Sequence, residues 1–185
     1  MSTPWRRGLA ALVLGGFGLF APQVVAQGVD LQEAPLLEAL RQAEQRAGAQ
    51  DAALLGPLDA LKDFYTERGR LPEALPLAQR LLAIAEQAYG SDDLRVAGAM
   101  NNLAELQREL GLLPQALALH QRSLALHEKL LGPDHVEVAA SAGNLGLVHQ
   151  ALGRFPEALA LYQRSLAIRE RQLGPDHLDV ANSLN

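Results

Sequence analysis

The 185-residue chain predicts an all-α fold built of stacked helical hairpins, and three observations carry that prediction. Leu131 to His135 reads LGPDH and Leu173 to His177 reads LGPDH again, a period of 42 residues (173 against 131). Within one period the apolar residues fall into two stripes at spacings of three and four, each the buried face of a helix. Gly and Pro recur at the same two places between and after the stripes. Self-similarity at this length marks supersecondary units stacked in one dimension.

The first 26 residues stand apart from the array. Arg6 and Arg7 precede an almost wholly apolar run from Gly8 to Pro22, and Val24, Val25 and Ala26 supply small residues before Gln27. This is the pattern of a cleavable secretory signal with Ala26 as its last residue. An uncleaved anchor is the lesser alternative, because the run falls short of the roughly 20 residues of a membrane-spanning helix. The expected location is therefore periplasmic or secreted, with no membrane contact once the signal is removed. A lipid-attached lipoprotein is excluded by the absence of Cys.

Residues 27–49 read as a linker and one helix, Ala34 to Ala47, without a repeat partner, placed to cap the exposed end of the stack. Residues 50–88 form a degenerate hairpin. Leu54, Leu58, Leu61 and Tyr65 make its first stripe, Gly69 its turn, and Leu71, Ala74, Leu75 and Leu82 its second. Lys62 stands where the later units carry Ala104 and Gly146, which predicts a looser helix contact there. Pro76, early in the second helix, removes one backbone donor and is expected to bend it.

Residues 89–130 and 131–172 are the two clear units. The stripe Val96, Met100, Leu103, Gln107, Leu110 recurs as Val138, Ala142, Leu145, His149, Leu152. The stripe Leu113, Ala116, Leu117, His120, Leu124, His127 recurs as Phe155, Ala158, Leu159, Tyr162, Leu166, Arg169. Gly111 and Gly153 end the first helices in a left-handed conformation, and Pro114 and Pro156 open the second ones. In the LGPDH connector, Asp134 is expected to cap the following helix, with Glu137 completing a capping box; Asp176 with Asp179 and Asp92 with Arg95 are weaker versions. Residues 173–185 begin a further unit that is incomplete at Asn185, and the open end at 178–185 allows self-association.

Composition narrows the function classes. The 16 basic residues include the two in the leader and face 21 acidic ones. A chain this acidic is a poor ligand for nucleic acid or an anionic membrane. Without Cys there are no disulfides, thiolate zinc sites or Cys nucleophiles, so stability must come from packing. No HExxH pair, phosphate loop or GxSxG elbow occurs. His120 and His127 lie seven apart on one helix face, but they align with Tyr162 and Arg169, which points to packing rather than to a metal. No cofactor or metal is expected, and the chain is read as a non-enzyme.

The spans NLAELQRELGLLPQALALHQRSLAL from Asn102 and NLGLVHQALGRFPEALALYQRSLAI from Asn144 resemble tetratricopeptide repeats. Small residues at Ala104 or Gly146, Ala116 or Ala158, and Ser123 or Ser165 occupy the helix crossings. The 42-residue period and the LGPDH connector make the resemblance narrower, to repeats of the kinesin-light-chain type. Gln107, His149, His120 and Ala78 depart from it by replacing the usual aromatics, which only Tyr65 and Tyr162 keep.

The resemblance implies a right-handed superhelix whose first helices line a concave groove for an extended peptide or a partner subunit. Its groove positions fall on Asn101, Asn102, Glu105 and Arg108; on Gly143, Asn144, Leu147 and Gln150; and on Asp59, Ala60, Asp63 and Thr66. Asn102 and Asn144 match the Asn that hydrogen-bonds a bound peptide backbone in this family. An amide offers a donor and an acceptor together, so it can satisfy a peptide group whatever the side chain. The alternative is that both brace neighbouring helices. Asp59, Asp63 and Glu105 against Arg108 suggest a partner with a few basic residues. The expected function is an exported protein-interaction scaffold. The second reading is a recruiting or regulatory arm of a larger enzyme, such as a CHAT-type peptidase, truncated at Asn185.

Overall fold

The computed structural model describes residues 31–174 and His177. The leader at 1–26 and residues 178–185 of the expected further unit lie outside the described residues, as does Asp176. Seven helices follow one another: α1 (Glu33–Ala47), α2 (Leu55–Glu67), α3 (Leu71–Tyr89), α4 (Leu94–Glu109), α5 (Leu113–Leu131), α6 (Val136–Ala151) and α7 (Phe155–Leu173). A 3-10 turn, Ala52–Leu54, leads into α2. The helices α2 and α3, α4 and α5, and α6 and α7 pair as hairpins, and each second helix packs on the first helix of the next hairpin. Helix α3 runs unbroken through Pro76.

The turns fold as the sequence implies. Gly111 and Gly153 adopt φ of 74° and 72°, a left-handed backbone that carries the chain from the first helix into the second. Pro114 and Pro156 sit in the first turn of α5 and α7, where a missing N–H costs nothing. Buried Leu, Ile, Val and Met side chains run through the stack from Leu40 in α1 to Ile168 in α7.

The capping expectation for Asp134 is corrected. Helix α6 starts at Val136, and its N-cap is His135, whose ring Nδ1 accepts the Glu137 backbone N–H at 3.1 Å. Asp134 is one residue too early to cap, and its carboxylate instead accepts from Arg171 at 2.8 Å. The equivalent correction holds one unit earlier: Asp93, not Asp92, caps α4 by accepting the Arg95 N–H at 2.8 Å. Asp92 reaches across to Lys129 at 2.5 Å.

Helix α1 occupies the register of a second helix. Its closing Gly48 has φ of 90°, matching Gly90, Gly132 and Gly174, each 42 residues further on. Glu44 accepts from Arg80 at 2.5 Å, as Glu86 does from Arg122 at 3.3 Å and Glu128 from Arg164 at 2.5 Å. Each acid and each Arg recurs at 42 residues, so one ladder of ion pairs links α1, α3, α5 and α7. The inner side of α1 buries Leu40, and Glu33 accepts from Tyr65 at 2.7 Å and from Arg70 at 2.8 Å. Its outer side carries Glu38 hydrogen-bonded to Arg41 and Gln42. A polar outer face closes this end of the stack.

At the helix crossings the volumes trade off. In the third hairpin, a Cβ added to Gly146 would lie 2.6 Å from the Tyr162 ring. The second hairpin has Ala104 and His120 at these positions, and the first has Lys62 and Ala78, all buried. As the first-helix residue grows, its partner shrinks. The expected looseness around Lys62 is therefore not found. Its ammonium turns to Asp59 at 2.7 Å and Asp63 at 2.9 Å, so the stem fills space while the charge is paired. Burial pulls its pKa down, and the two carboxylates together outweigh it and raise it. Ser123 and Ser165, at the other crossings, are buried and donate to the carbonyls of Ala97 at 2.9 Å and Ala139 at 2.7 Å.

Candidate interaction groove

The first helices form the inner row. Helix α4 comes within direct backbone reach of α6 across the repeat, whereas α3, α5 and α7 do not approach one another and are linked only through long side chains. One row drawn closer than the other gives the stack a concave side along α4 and α6, continued by α2.

On α4, Asn101, Asn102, Glu105 and Arg108 fall on one side of the helix at spacings of one, three and three. Arg108 donates through Nε to Glu105 at 3.0 Å and pairs with the same carboxylate through Nη2. That hydrogen bond holds the Glu105 carboxyl below the usual range and raises Arg108. Asn102 is exposed and Asn144 half-buried, and neither amide has a side-chain hydrogen bond among the described residues. The bracing alternative for these two therefore has no hydrogen bond to support it. Leu147, one turn beyond Asn144, is 40% exposed. Gln150 accepts from the Tyr162 hydroxyl at 2.7 Å.

Asn101 behaves differently from its neighbour. Its Oδ1 faces His120 Nδ1 at 3.0 Å, and its Nδ2 donates to Ser141 Oγ at 3.4 Å. Ser141 in turn lies 2.8 Å from His127 Nδ1. Asn101 is thus a brace between two hairpins, with both ends of its amide engaged. Asp63 stands on α2, exposed, and shares Lys62 with Asp59. Thr66 donates to the Lys62 carbonyl at 2.9 Å.

Sequence reasoning missed Lys62, His120, Ser141 and His127. For Lys62 a signal existed: acids three before it and one after it on a helix. The charge reading of the groove changes accordingly, since Lys62 and Arg108 compensate most of Asp59, Asp63 and Glu105. The expectation of a basic partner loses its footing. Among the described residues no group of three His, Asp or Glu could hold a metal ion. No described helix is long and apolar enough to cross a membrane.

The tetratricopeptide repeat family profile matches residues 52–128, 95–171 and 137–185. The chain belongs to the tetratricopeptide repeat family. No curated protein matches it. Among solved structures it is similar to BtubC (BKLC) from P. vanneervenii, with 25% identity and a TM-score of 0.71 over 82% of this chain and 60% of that one. It is also similar to the nearly identical TPR-like repeats assigned to a Podosopora anserina kinesin light chain, with 22% identity and a TM-score of 0.70 over 82% and 72% of the two chains. A point variant of that fungal protein gives a TM-score of 0.72 at 22% identity, over 82% of this chain and 71% of that one. The all-α tetratricopeptide solenoid with kinesin-light-chain-like repeats is therefore the fold of this chain. The chain spans 60% of the length of BtubC. Tetratricopeptide repeats are scaffolds for protein–protein interaction and generally carry no reaction of their own.

Proposed function

We propose that the protein is an exported scaffold whose α2–α4–α6 face binds an extended peptide segment of a partner. The observation that supports this reading best is the pair Asn102 and Asn144. They stand 42 residues apart in sequence, on successive inner helices, with amides free of internal partners. An unengaged Asn on each rung suits a ligand that offers backbone groups at intervals. Leu147 adds an apolar contact beside the second amide, and the internal pairing of Lys62 and Arg108 leaves little net charge to select a strongly basic partner. Buried amide hydrogen bonds give affinity while apolar pockets give side-chain preference.

The test is a peptide library displayed against the chain, with affinities of selected peptides measured on the parent and on Asn102→Ala, Asn144→Ala. Each lost hydrogen bond contributes about 1 kcal/mol. A double variant with unchanged helicity should therefore bind about tenfold or more weakly. Equal affinity in a folded double variant would sink the groove assignment, and loss of helicity would make the two residues braces. Export is checked separately, by locating the chain after expression and sequencing its N-terminus, which should begin at Gln27.

A further inference from the structure

Four buried or half-buried polar side chains form one hydrogen-bonded chain between the second and third hairpins. His120 on α5 meets Asn101 on α4, Asn101 meets Ser141 on α6, and Ser141 meets His127, back on α5. The directions are fixed by chemistry. With Asn101 Oδ1 facing it, His120 Nδ1 must carry a hydrogen, so the neutral ring has none on Nε2. That Nε2 is buried and has no partner. Asn101 Nδ2 donates to Ser141, leaving the Ser141 hydroxyl hydrogen for His127 Nδ1. The chain therefore holds only while both imidazoles are neutral.

Protonation breaks it at both ends. A proton on His120 creates a charged N–H in a fully buried place with no acceptor, and a proton on His127 sets a donor against a donor. The charged groups facing these rings do not rescue them. From α4, Glu105 faces His120 but is held by Arg108, which faces it too; from the α6 side, Glu137 faces His127 together with His135. Burial accordingly pushes His120 down to about 4, and lowers His127. These rings sit where one hairpin is pinned to the next.

We propose that the His120–Asn101–Ser141–His127 chain is an acid-released latch: on acidification it opens, the second and third hairpins turn against each other, and the α4–α6 face changes shape. The latch concerns the stack itself and stands whether or not that face binds a peptide. Nothing else needs to unfold, because the helices keep their own hydrogen bonds.

The chain has no Cys, so Gln79→Cys and Gln163→Cys place two dyes at equivalent exposed positions on α3 and α7. Energy transfer between them should stay constant above the ordinary histidine value and change as pH falls from 6.5 toward 4, with helical circular dichroism preserved. The comparison is the triple variant Ala104→Gly, His120→Tyr, His127→Ala. It imports the Gly146–Tyr162 pair of the third hairpin and Ala85 of the first, and its transfer should be flat with pH. A parent without a transfer change, a triple variant that follows the parent, or a transfer change that coincides with loss of helicity would each overturn the latch. Should the triple variant not fold, imidazole nitrogen resonances of the parent replace it. The transfer midpoint must then coincide with His120 protonation, and a mismatch overturns the proposal.

Discussion

At position 146 a missing methyl group makes room for a ring. Gly146→Ala should gain about 1 kcal/mol of helix propensity and lose about 1 to 3 kcal/mol to the overlap with Tyr162, a net loss of up to about 2 kcal/mol in urea unfolding. Adding Tyr162→His should recover most of it, because Ala104 with His120 is the same pairing one unit earlier. A double variant no more stable than the single would show that the overlap is relieved elsewhere. His120 adds a pH dependence whose sign follows from its lowered pKa. The folded chain binds this proton less readily than the unfolded chain, so its contribution is intact above the ordinary histidine value and is lost as pH falls toward 4. At this scale the sequence was least legible. Asn101 and Asn102 are neighbours of the same type, yet one is locked between His120 and Ser141, 19 and 40 residues away, and the other faces solvent. No local pattern distinguishes them.

Helix starts test how finely a cap can be read from sequence. Asp93→Ala removes the acceptor at the N-cap of α4 and should cost about 1 kcal/mol in thermal unfolding. Asp134→Ala removes only one exposed ion-pair partner and should stay within about 0.5 kcal/mol. Equal losses would mean that the two carboxylates do the same job and that the start of α6 is misread. The helices, their turns and their repeat pairing were legible, because Gly, Pro and apolar spacing act within a few residues. The cap was misplaced by one residue because DH and DD offer two adjacent acceptors, and only the backbone decides which one sits at the boundary. The register of α1 was hidden for another reason. Glu44 and Gly48 repeat the later units, but the residues that would pair α1 into a hairpin of its own fall in the apolar leader.

Across the whole molecule the two ends differ. At one end α1 turns Glu38, Arg41 and Gln42 outward; at the other, α7 leaves Phe155 66% and Leu159 56% exposed. The equivalent Leu71 and Leu75, and Leu113 and Leu117, are half-buried inside the stack. An apolar end of this kind favours association. Sedimentation of the chain should show concentration-dependent self-association that Phe155→Gln, Leu159→Gln abolishes without loss of helicity. A parent that stays monomeric at high concentration would show that this end is not adhesive. The overall architecture was legible from one period and one connector. The groove was legible as a row of positions, but its charge was not, since Lys62 turns onto Asp59 and Asp63 from a site that its repeat equivalents fill with Ala104 and Gly146.

The volume trade at the crossings also bears on how such an array can grow or recombine. Splicing α7 behind α4 would set the Tyr162 ring against Ala104, and splicing α5 behind α2 would set His120 against Lys62. A crossover inside a hairpin therefore yields a chain with a clash, while one between hairpins, at the Gly90 or Gly132 turn, yields a chain with every matched pair intact. The heritable module of this protein is the hairpin, and its individual helices are not interchangeable parts.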